Sequence, residues 1–375
     1  MAKNGQKTRN FVKLRQKTRI STISAPPSLC GRILFLLLVK TEMQHSDTDR
    51  PLRVLFVNRM AGMIRGGGET FDLEISRALN DLGCETTFLS GRPIFSRPHI
   101  ELDHPRCVFL RSPWTGWLPR AKIPGGWHIR FWDFKRFEHK AARWAYAQRA
   151  RFDVIQVCEL PFFVARWKNF KTDVPVVMRL TAPDYYDPVG AVLEADAVIA
   201  SGTTMEKMRS GARPDCADIP NAVDSAHFRP QTSDFRRKHS IGEADPVFLY
   251  VARMVPFKRH TWLLDAFTRI LPEIPGARLI LAGRGPLEEE LKNYCLRAGL
   301  MDRVIFMGQV AYDRLPSIYA AADVKVIASD ERESFCFAAL EAMAMGLPLV
   351  STACGMLPSL IGGNEGGRVV AVDDA

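Results

Sequence analysis

Short apolar runs alternate along most of the chain with stretches whose apolar residues recur every three or four positions. RVLFVN (53–58), ETTFLS (85–90), FDVIQV (152–157), PVVMRL (175–180) and ADAVIA (195–200) read as buried strands. Between the first two, Phe71, Ile75, Ala78, Leu79 and Leu82 keep helical spacing. Near IPNAVD (219–224) the pattern restarts, with VFLYVA (247–252), a helix around Leu263, Leu264, Phe267 and Ile270, then ARLILAG, a helix from about 287, RVIFMG, a helix from about 312, DVKVIA (323–328) and LPLVST (347–352). Strands that alternate with helices predict doubly wound parallel sheets, and the restart predicts two of them: a first domain over 50–220 and a second over 221–375. No internal repeat or low-complexity tract interrupts the pattern.

Where apolar DVKVIA feeds SDERESFCFAALEAMAMG, the sequence predicts a strand followed by a helix that opens near Ser334 and ends at Gly346. Glu333 and Glu341 are eight positions apart, which on such a helix places them about two turns apart on one side. The free N–H groups of the helix mouth, together with Arg253 and Lys258 in the loop after VFLYVA, make an anion site suited to a diphosphate. Each feature also has a plainer reading. A helix glutamate is usually solvated, although Leu340 and Ala342 to Met345 surround Glu341 with apolar groups. Arg253 and Lys258 read alone would be surface ion-pair partners. Gly67 and Gly68, in GGGE (66–69), either let backbone approach a phosphate or form a flexible turn before a helix that starts at Glu69. Gly283 and Gly285, in GRGP (283–286), favour a sharp strand-to-helix turn over direct ligand contact.

Taken in order, the E-x7-E pair (Glu333, Glu341), the Arg-x4-Lys pair (Arg253, Lys258), GRGP, DRVIFMG (302–308), IPNAVD and GGGE make the chain, from about Arg53 onwards, resemble retaining glycosyltransferases of family 4. The resemblance implies the α/β GT-B architecture, two Rossmann-like domains facing across a cleft, with an acceptor side first and nucleotide-sugar binding in the second. It implies that Glu333 holds hydroxyls of the transferred sugar, that Arg253 and Lys258 bind the diphosphate, and that Glu341 accepts from the ribose hydroxyls. Ser334, Phe335 and Cys336 would complete the donor site through backbone groups, with Gly283, Gly285, Gly67 and Gly68 beside it. The co-substrate would be a nucleotide-diphosphate sugar, the acceptor a glycan or lipid-linked molecule, and the step a retaining hexosyl transfer without metal, as no Asp-x-Asp motif occurs in a suitable loop. Family members often carry a histidine where Thr181, Ala182 and Pro183 stand here. Ser334, Cys336, Ala222 and Arg259 occupy positions where glycine is usual. Members also continue through helices beyond the equivalent of Ala375, so the C-terminal helices are expected to be missing. A non-catalytic or truncated sugar-nucleotide-binding protein and a nucleotide-sugar epimerase of similar fold are the alternatives.

Composition suits such a protein, with 47% hydrophobic and 25% charged residues in 375. The eight cysteines, at 30, 84, 107, 158, 216, 295, 336 and 354, form no C-x2-C pair and suggest reduced thiols rather than a zinc site or disulfide framework. The net charge of +10 is concentrated. Residues 1–42 hold nine Lys/Arg against Glu42, and the basic extension over 1–49 reads as a disordered tail, a membrane-touching tail, or an over-extension upstream of a true start at Met43. Its apolar ILFLLLV (33–39) is far short of the roughly 20 residues that span a bilayer. Residues 106–151 carry eleven Lys/Arg against Asp133 and Glu138, with five of the seven tryptophans (114, 117, 127, 132, 144). This segment suits an anionic membrane surface or is a solvated helix over about 128–150 with core aromatics; nucleic acid is not indicated, for want of any recognition motif. The expected location is cytoplasmic, peripheral at the inner face of the membrane, in cell-envelope polysaccharide synthesis.

Overall fold

Each apolar run expected to be a strand lies parallel to its neighbours, most of them with both faces covered, the arrangement that makes near-continuous hydrophobic strands stable. The computed structural model describes residues 50–63, 67–93, 104–112, 126–181, 185–362 and 366–372, with 93 and 126–130 as backbone only. The extension with its candidate start at Met43 lies outside them, as do Gly66, Trp114, Trp117, the Trp127 ring, Ala182, Pro183 and Ala375. Two compact units divide between Asn221 and Ala222.

The first unit begins with β1 (Arg53–Asn58), α1 (Gly67–Asp81), β2 (Glu85–Pro93), β3 (Cys107–Ser112) and α2 (Gly126–Ala147). It continues with β4 (Val154–Cys158), α3 (Pro161–Lys168), β5 (Val176–Arg179), α4 (Ala191–Glu194), β6 (Ala197–Ala200), α5 (Gly202–Arg209) and β7 (Ala217–Asp218). The parallel sheet runs β3-β2-β1-β4-β5-β6-β7, its core built from residues such as Leu55, Val57, Ile155, Val157, Phe163 and Trp167. Two strands escape the sequence pattern. β3 is an edge strand whose side chains are mostly half-exposed, and β7 has two residues, too few for any period to register. α1 opens at Gly67, not at Glu69, so both described glycines of GGGE belong to its first turn.

The second unit starts with α6 (Phe235–Lys238), β8 (Val247–Val251), a 3-10 turn at Pro256–Lys258, α7 (His260–Ile270), β9 (Arg278–Ala282), α8 (Glu288–Arg297) and β10 (Val304–Gly308). α9 (Leu315–Ala321), β11 (Val324–Ile327), α10 (Phe337–Ala344), β12 (Leu349–Thr352), α11 (Leu357–Ile361) and β13 (Gly367–Val370) follow. The sheet order β10-β9-β8-β11-β12-β13 is again wholly parallel. Alternation along β8 sends Val247 and Leu249 into one core, with Ala339, Ala342 and Leu349, and Tyr250 into the other, with Leu264, Phe267, Leu279 and Leu281.

Candidate functional site

The second sheet reverses its direction of winding between β8 and β11. In open α/β sheets the crevice beyond the strand ends at such a point is where ligands bind. The loop leaving β8 carries Arg253 and Lys258; the loop leaving β11 carries Ser329 and Glu333. A backbone bond from Asp330 N to the Phe257 carbonyl, 2.9 Å, joins the two.

At their junction Lys258 and Glu333 form an ion pair with both side chains largely buried. Ser329 Oγ donates to the same Glu333 Oε2 at 3.0 Å, and the buried Tyr250 hydroxyl donates to the Lys258 carbonyl at 2.7 Å, fixing the turn that presents the ammonium. Arg253 is exposed and makes no ion pair among the described residues. Glu341 is buried within α10, where Tyr319 donates its hydroxyl to Oε2 at 2.6 Å. Burial and the neighbouring Glu341 carboxylate raise the Tyr319 hydroxyl well above its ordinary range, so it stays a donor.

The spacing of the two glutamates has a different origin from the one expected. α10 opens at Phe337, with Cys336 as an extended N-cap that makes no side-chain capping bond, so Glu333 lies in the preceding loop rather than on the helix. The eight-residue interval measures a loop plus one helical turn. Ser334, Phe335 and Cys336 form the approach to the helix mouth, with Cys336 buried and its thiol pushed up to about 11 by that burial. Lys258, Glu333 and Glu341 are thus brought to one end of the sheet with Arg253 at its edge.

The glycines of GRGP shape this end from below. A Cβ on Gly283, whose φ is +140°, would lie 2.0 Å from the Ala252 carbonyl oxygen, and one on Gly285 would lie 2.2 Å from that of Met254. Bonds from Met254 N to Arg284 O (3.0 Å) and from Leu287 N to Met254 O (3.2 Å) sew the turn to the Arg253 loop. Gly355, not singled out in the sequence, does the same for the other loop: at φ +50° its Cβ would meet the Glu333 carbonyl oxygen at 2.3 Å. Arg259, where glycine was expected, adopts the left-handed conformation (φ 48°, ψ 43°) and is held by stacking on Trp262 and by a 2.8 Å bond from its guanidinium to the Val372 carbonyl. Two further buried polar residues went unnoticed. Lys325 sits inside apolar DVKVIA, and His260 opens α7 with its ring 4.8 Å from that of Tyr250.

Gly67 and Gly68 belong to the first unit and are not part of this cluster. There Gly68 accepts a 2.8 Å bond from Arg179, whose guanidinium pairs with Asp72 at 2.8 Å and lies over the Phe71 ring. Thr181, standing where the resemblance expects a histidine, donates its backbone N–H to Glu159 at 2.6 Å, and its hydroxyl bonds the same oxygen. Among the described residues no group of three or more His, Cys, Asp or Glu side chains is placed to hold a metal ion, and no helix is long and apolar enough to cross a membrane. The seven described cysteines are free thiols.

The fold is that of the GT-B glycosyltransferases. Sucrose-phosphate synthase from Thermosynechococcus elongatus superposes with a TM-score of 0.69 at 21% identity, covering 86% of each chain, and Anabaena HepE in complex with UDP and glucose superposes with 0.64 at 21% identity, over 85% of this chain and 86% of its own. Residues 231–375, in the second unit, match the profile of the family described as Glycosyl transferases group 1. A GDP-mannose-dependent alpha-(1-6)-phosphatidylinositol monomannoside mannosyltransferase of Mycobacterium tuberculosis is 33% identical over 161 residues, covering 40% of this chain and 42% of the relative. The lipopolysaccharide core biosynthesis mannosyltransferase LpsB of Rhizobium meliloti is 34% identical over 194 residues, 48% of this chain and 52% of the relative. The chain therefore spans about half or less of these curated relatives' length.

Proposed function

We propose that the protein transfers a hexose-type sugar from a nucleoside-diphosphate sugar to a glycan or lipid-linked acceptor, with retention of configuration and without a metal ion. The observation that carries this reading is the junction of the β8 and β11 loops, where Lys258, Glu333 and, one helical turn on, Glu341 converge beside an exposed Arg253. Cleavage of the bond from anomeric carbon to diphosphate builds negative charge on the leaving group and positive charge on the sugar. Arg253, Lys258 and the N–H groups at the mouth of α10 stabilise the first, already oriented before the reaction starts. Glu333 takes the sugar hydroxyls and Glu341 those of the ribose. A front-face displacement of this kind uses no protein nucleophile.

Relatives that act on a phosphatidylinositol mannoside and in lipopolysaccharide core synthesis support an envelope acceptor, and the surface of α2 supports a site on an anionic membrane face. Trp132 is 52% exposed with Arg136 stacked 5.1 Å from its ring, and Lys135 stands 5.4 Å from the ring of Phe162. Trp144, by contrast, packs against the core. A donor-binding protein without turnover is the second reading, favoured by Thr181 in place of the histidine.

Release of free nucleoside diphosphate from a panel of sugar nucleotides, measured with and without acceptor glycolipid, separates them. Acceptor-dependent release is expected, unaffected by a chelator and lowered about tenfold or more in Glu333→Gln or Lys258→Ala, in line with the loss of a charge-assisted hydrogen bond. Wild-type release in both variants would reject the site; donor binding with no release under any acceptor would favour the second reading.

A further inference from the structure

The first sheet also reverses its direction of winding, between β1 and β4, so it too has a crevice beyond its strand ends. The loop leaving β4 consists of Glu159 and Leu160, before Pro161 opens α3. Glu159 takes that corner with φ +51°, a left-handed conformation that glycine adopts freely and glutamate only at a cost. Among the described residues, three other non-glycine positions share it. Lys171 and Ser240 follow the ends of helices, where such a turn is ordinary, and Arg259 stands next to Lys258 in a loop of the second sheet's reversal. A strained residue at a ligand crevice is held there by its surroundings, and what it presents is worth asking about.

The half-buried Glu159 carboxylate is engaged through one oxygen. Oε1 accepts the Thr181 backbone N–H at 2.6 Å and the Thr181 hydroxyl as well, while Oε2 has no partner among the described residues. The guanidinium beside it does not supply one, because Arg179 is spent on Asp72 (2.8 Å), the Gly68 carbonyl (2.8 Å) and Cys158 Sγ (3.2 Å). Gly68 brings the first turn of α1 against the same groups: a Cβ there would lie 3.4 Å from both Thr181 Cγ2 and the Arg179 guanidinium, and 3.8 Å from Cys158 Sγ. Two carboxylates, Asp72 and Glu159, stand against one guanidinium, a balance unsuited to a phosphate or carboxylate ligand.

An acceptor-only oxygen in such a place calls for a donor, and the second substrate of the transfer proposed above is a hydroxyl. We propose that Glu159 is a specificity-determining residue for the acceptor: its open carboxylate oxygen receives a hydroxyl of a neutral polyol, the sugar or cyclitol part of a glycan or glycolipid, while Thr181 holds the other oxygen in place. The proposal rests on the transferase reading for the role of that ligand, but every group it uses lies in the first unit, so polyol binding is measurable without a donor.

The test titrates the full chain with methyl α-D-mannoside, methyl α-D-glucoside and myo-inositol, followed by ligand-observed NMR. At least one probe is expected to bind the wild type, to stay bound in the presence of saturating UDP or GDP, and to bind Glu159→Gln about tenfold more weakly. Glutamine keeps an oxygen for both Thr181 bonds and puts an amide donor where Oε2 accepted, so the melting temperature of this variant should match the wild type. Thr181→Val, which keeps the backbone bond and loses the hydroxyl one, should weaken binding about threefold. Lowered melting temperatures with unmoved affinities would assign Glu159 and Thr181 a structural role and overturn the proposal, as would failure of all three probes to bind the wild type. If Glu159→Gln does not fold, Thr181→Val decides, and an unchanged affinity in it overturns the proposal. Displacement of the polyol by UDP or GDP would put it in the donor crevice and overturn it too. Failure of the donor-site reading shows separately, as undiminished UDP and GDP binding by Lys258→Ala.

Discussion

The two units bury charge in opposite ways. In the first, Arg179 is enclosed and its partner Asp72 accepts from Asn58 (2.8 Å) and Gln156 (3.1 Å) as well, so one carboxylate gathers three donors from three strands. Arg59 is likewise closed on Asp133, which also accepts from Ser112 at 3.0 Å. In the second, Lys258 and Glu333 meet where two loops adjoin, Arg253 makes no ion pair among the described residues, and among those residues Lys325 has a carbonyl and an aromatic ring in place of a carboxylate. A charge enclosed in the core with its own carboxylate serves the fold and resists any change of partner. One left short of partners, or paired at the edge of a crevice, remains able to answer a ligand.

Removing Asp72 tests the contrast most severely. Asp72→Ala leaves the Arg179 guanidinium buried without its carboxylate, and a loss of about 3–5 kcal/mol in denaturant unfolding is expected, against about 0.5 kcal/mol or less for Arg253→Ala at the exposed edge of the crevice. Comparable losses in the two variants would erase the distinction. A smaller effect concerns pH. His260 has a folded-state value of about 4 against 6.5 when unfolded, because burial excludes the charged ring, so the unfolded chain binds the extra proton between those values. Stability of the second unit should therefore decline as pH falls from about 6.5 to about 4, by on the order of 2–3 kcal/mol at most, and His260→Gln should flatten that limb in thermal unfolding. An unchanged limb in the variant would place the acid-sensitive charge elsewhere. The smallest change expected is for Arg259→Gly. Relief of a left-handed backbone, worth about 1–2 kcal/mol, is offset by loss of the Trp262 stack and the Val372 bond, so a net change within about 1 kcal/mol is expected; a larger loss would mean that Arg259 belongs with the enclosed charges of the first unit.

How much of this was legible in the chain depended on whether a residue announced itself through spacing. Arg253, Lys258, Glu333 and Glu341 did, since all four stand in or just after the loops that leave two adjacent strands, although the Glu333–Glu341 interval spans a loop and one helical turn rather than one helix face. The start of α10 did not. ESFCFAALEAMA contains no Asn or Asp N-cap, and Ser334, the one good capping residue, sits three positions before the first helical residue. Gly355 was unreadable for another reason: its need for φ > 0 comes from a carbonyl more than twenty positions earlier, and local sequence cannot encode such an approach. Lys325 was in plain view, a cation inside an apolar run, but its strand neighbours outvoted it.

The bonds that sew the crevice loops together have a consequence for the rate at which a ligand is captured. Asp330 to Phe257, Met356 to Ser334 and Met254 to Arg284 are all backbone links between segments distant in sequence, so the segments bearing the cations and the carboxylate are braced as a single crest. A molecule arriving there meets a surface that needs little searching to find its bound form, and little conformational entropy is surrendered on contact. Encounter should then be governed by diffusion and by the shedding of water from Arg253 and Lys258, with discrimination between donors expressed in how long each one stays.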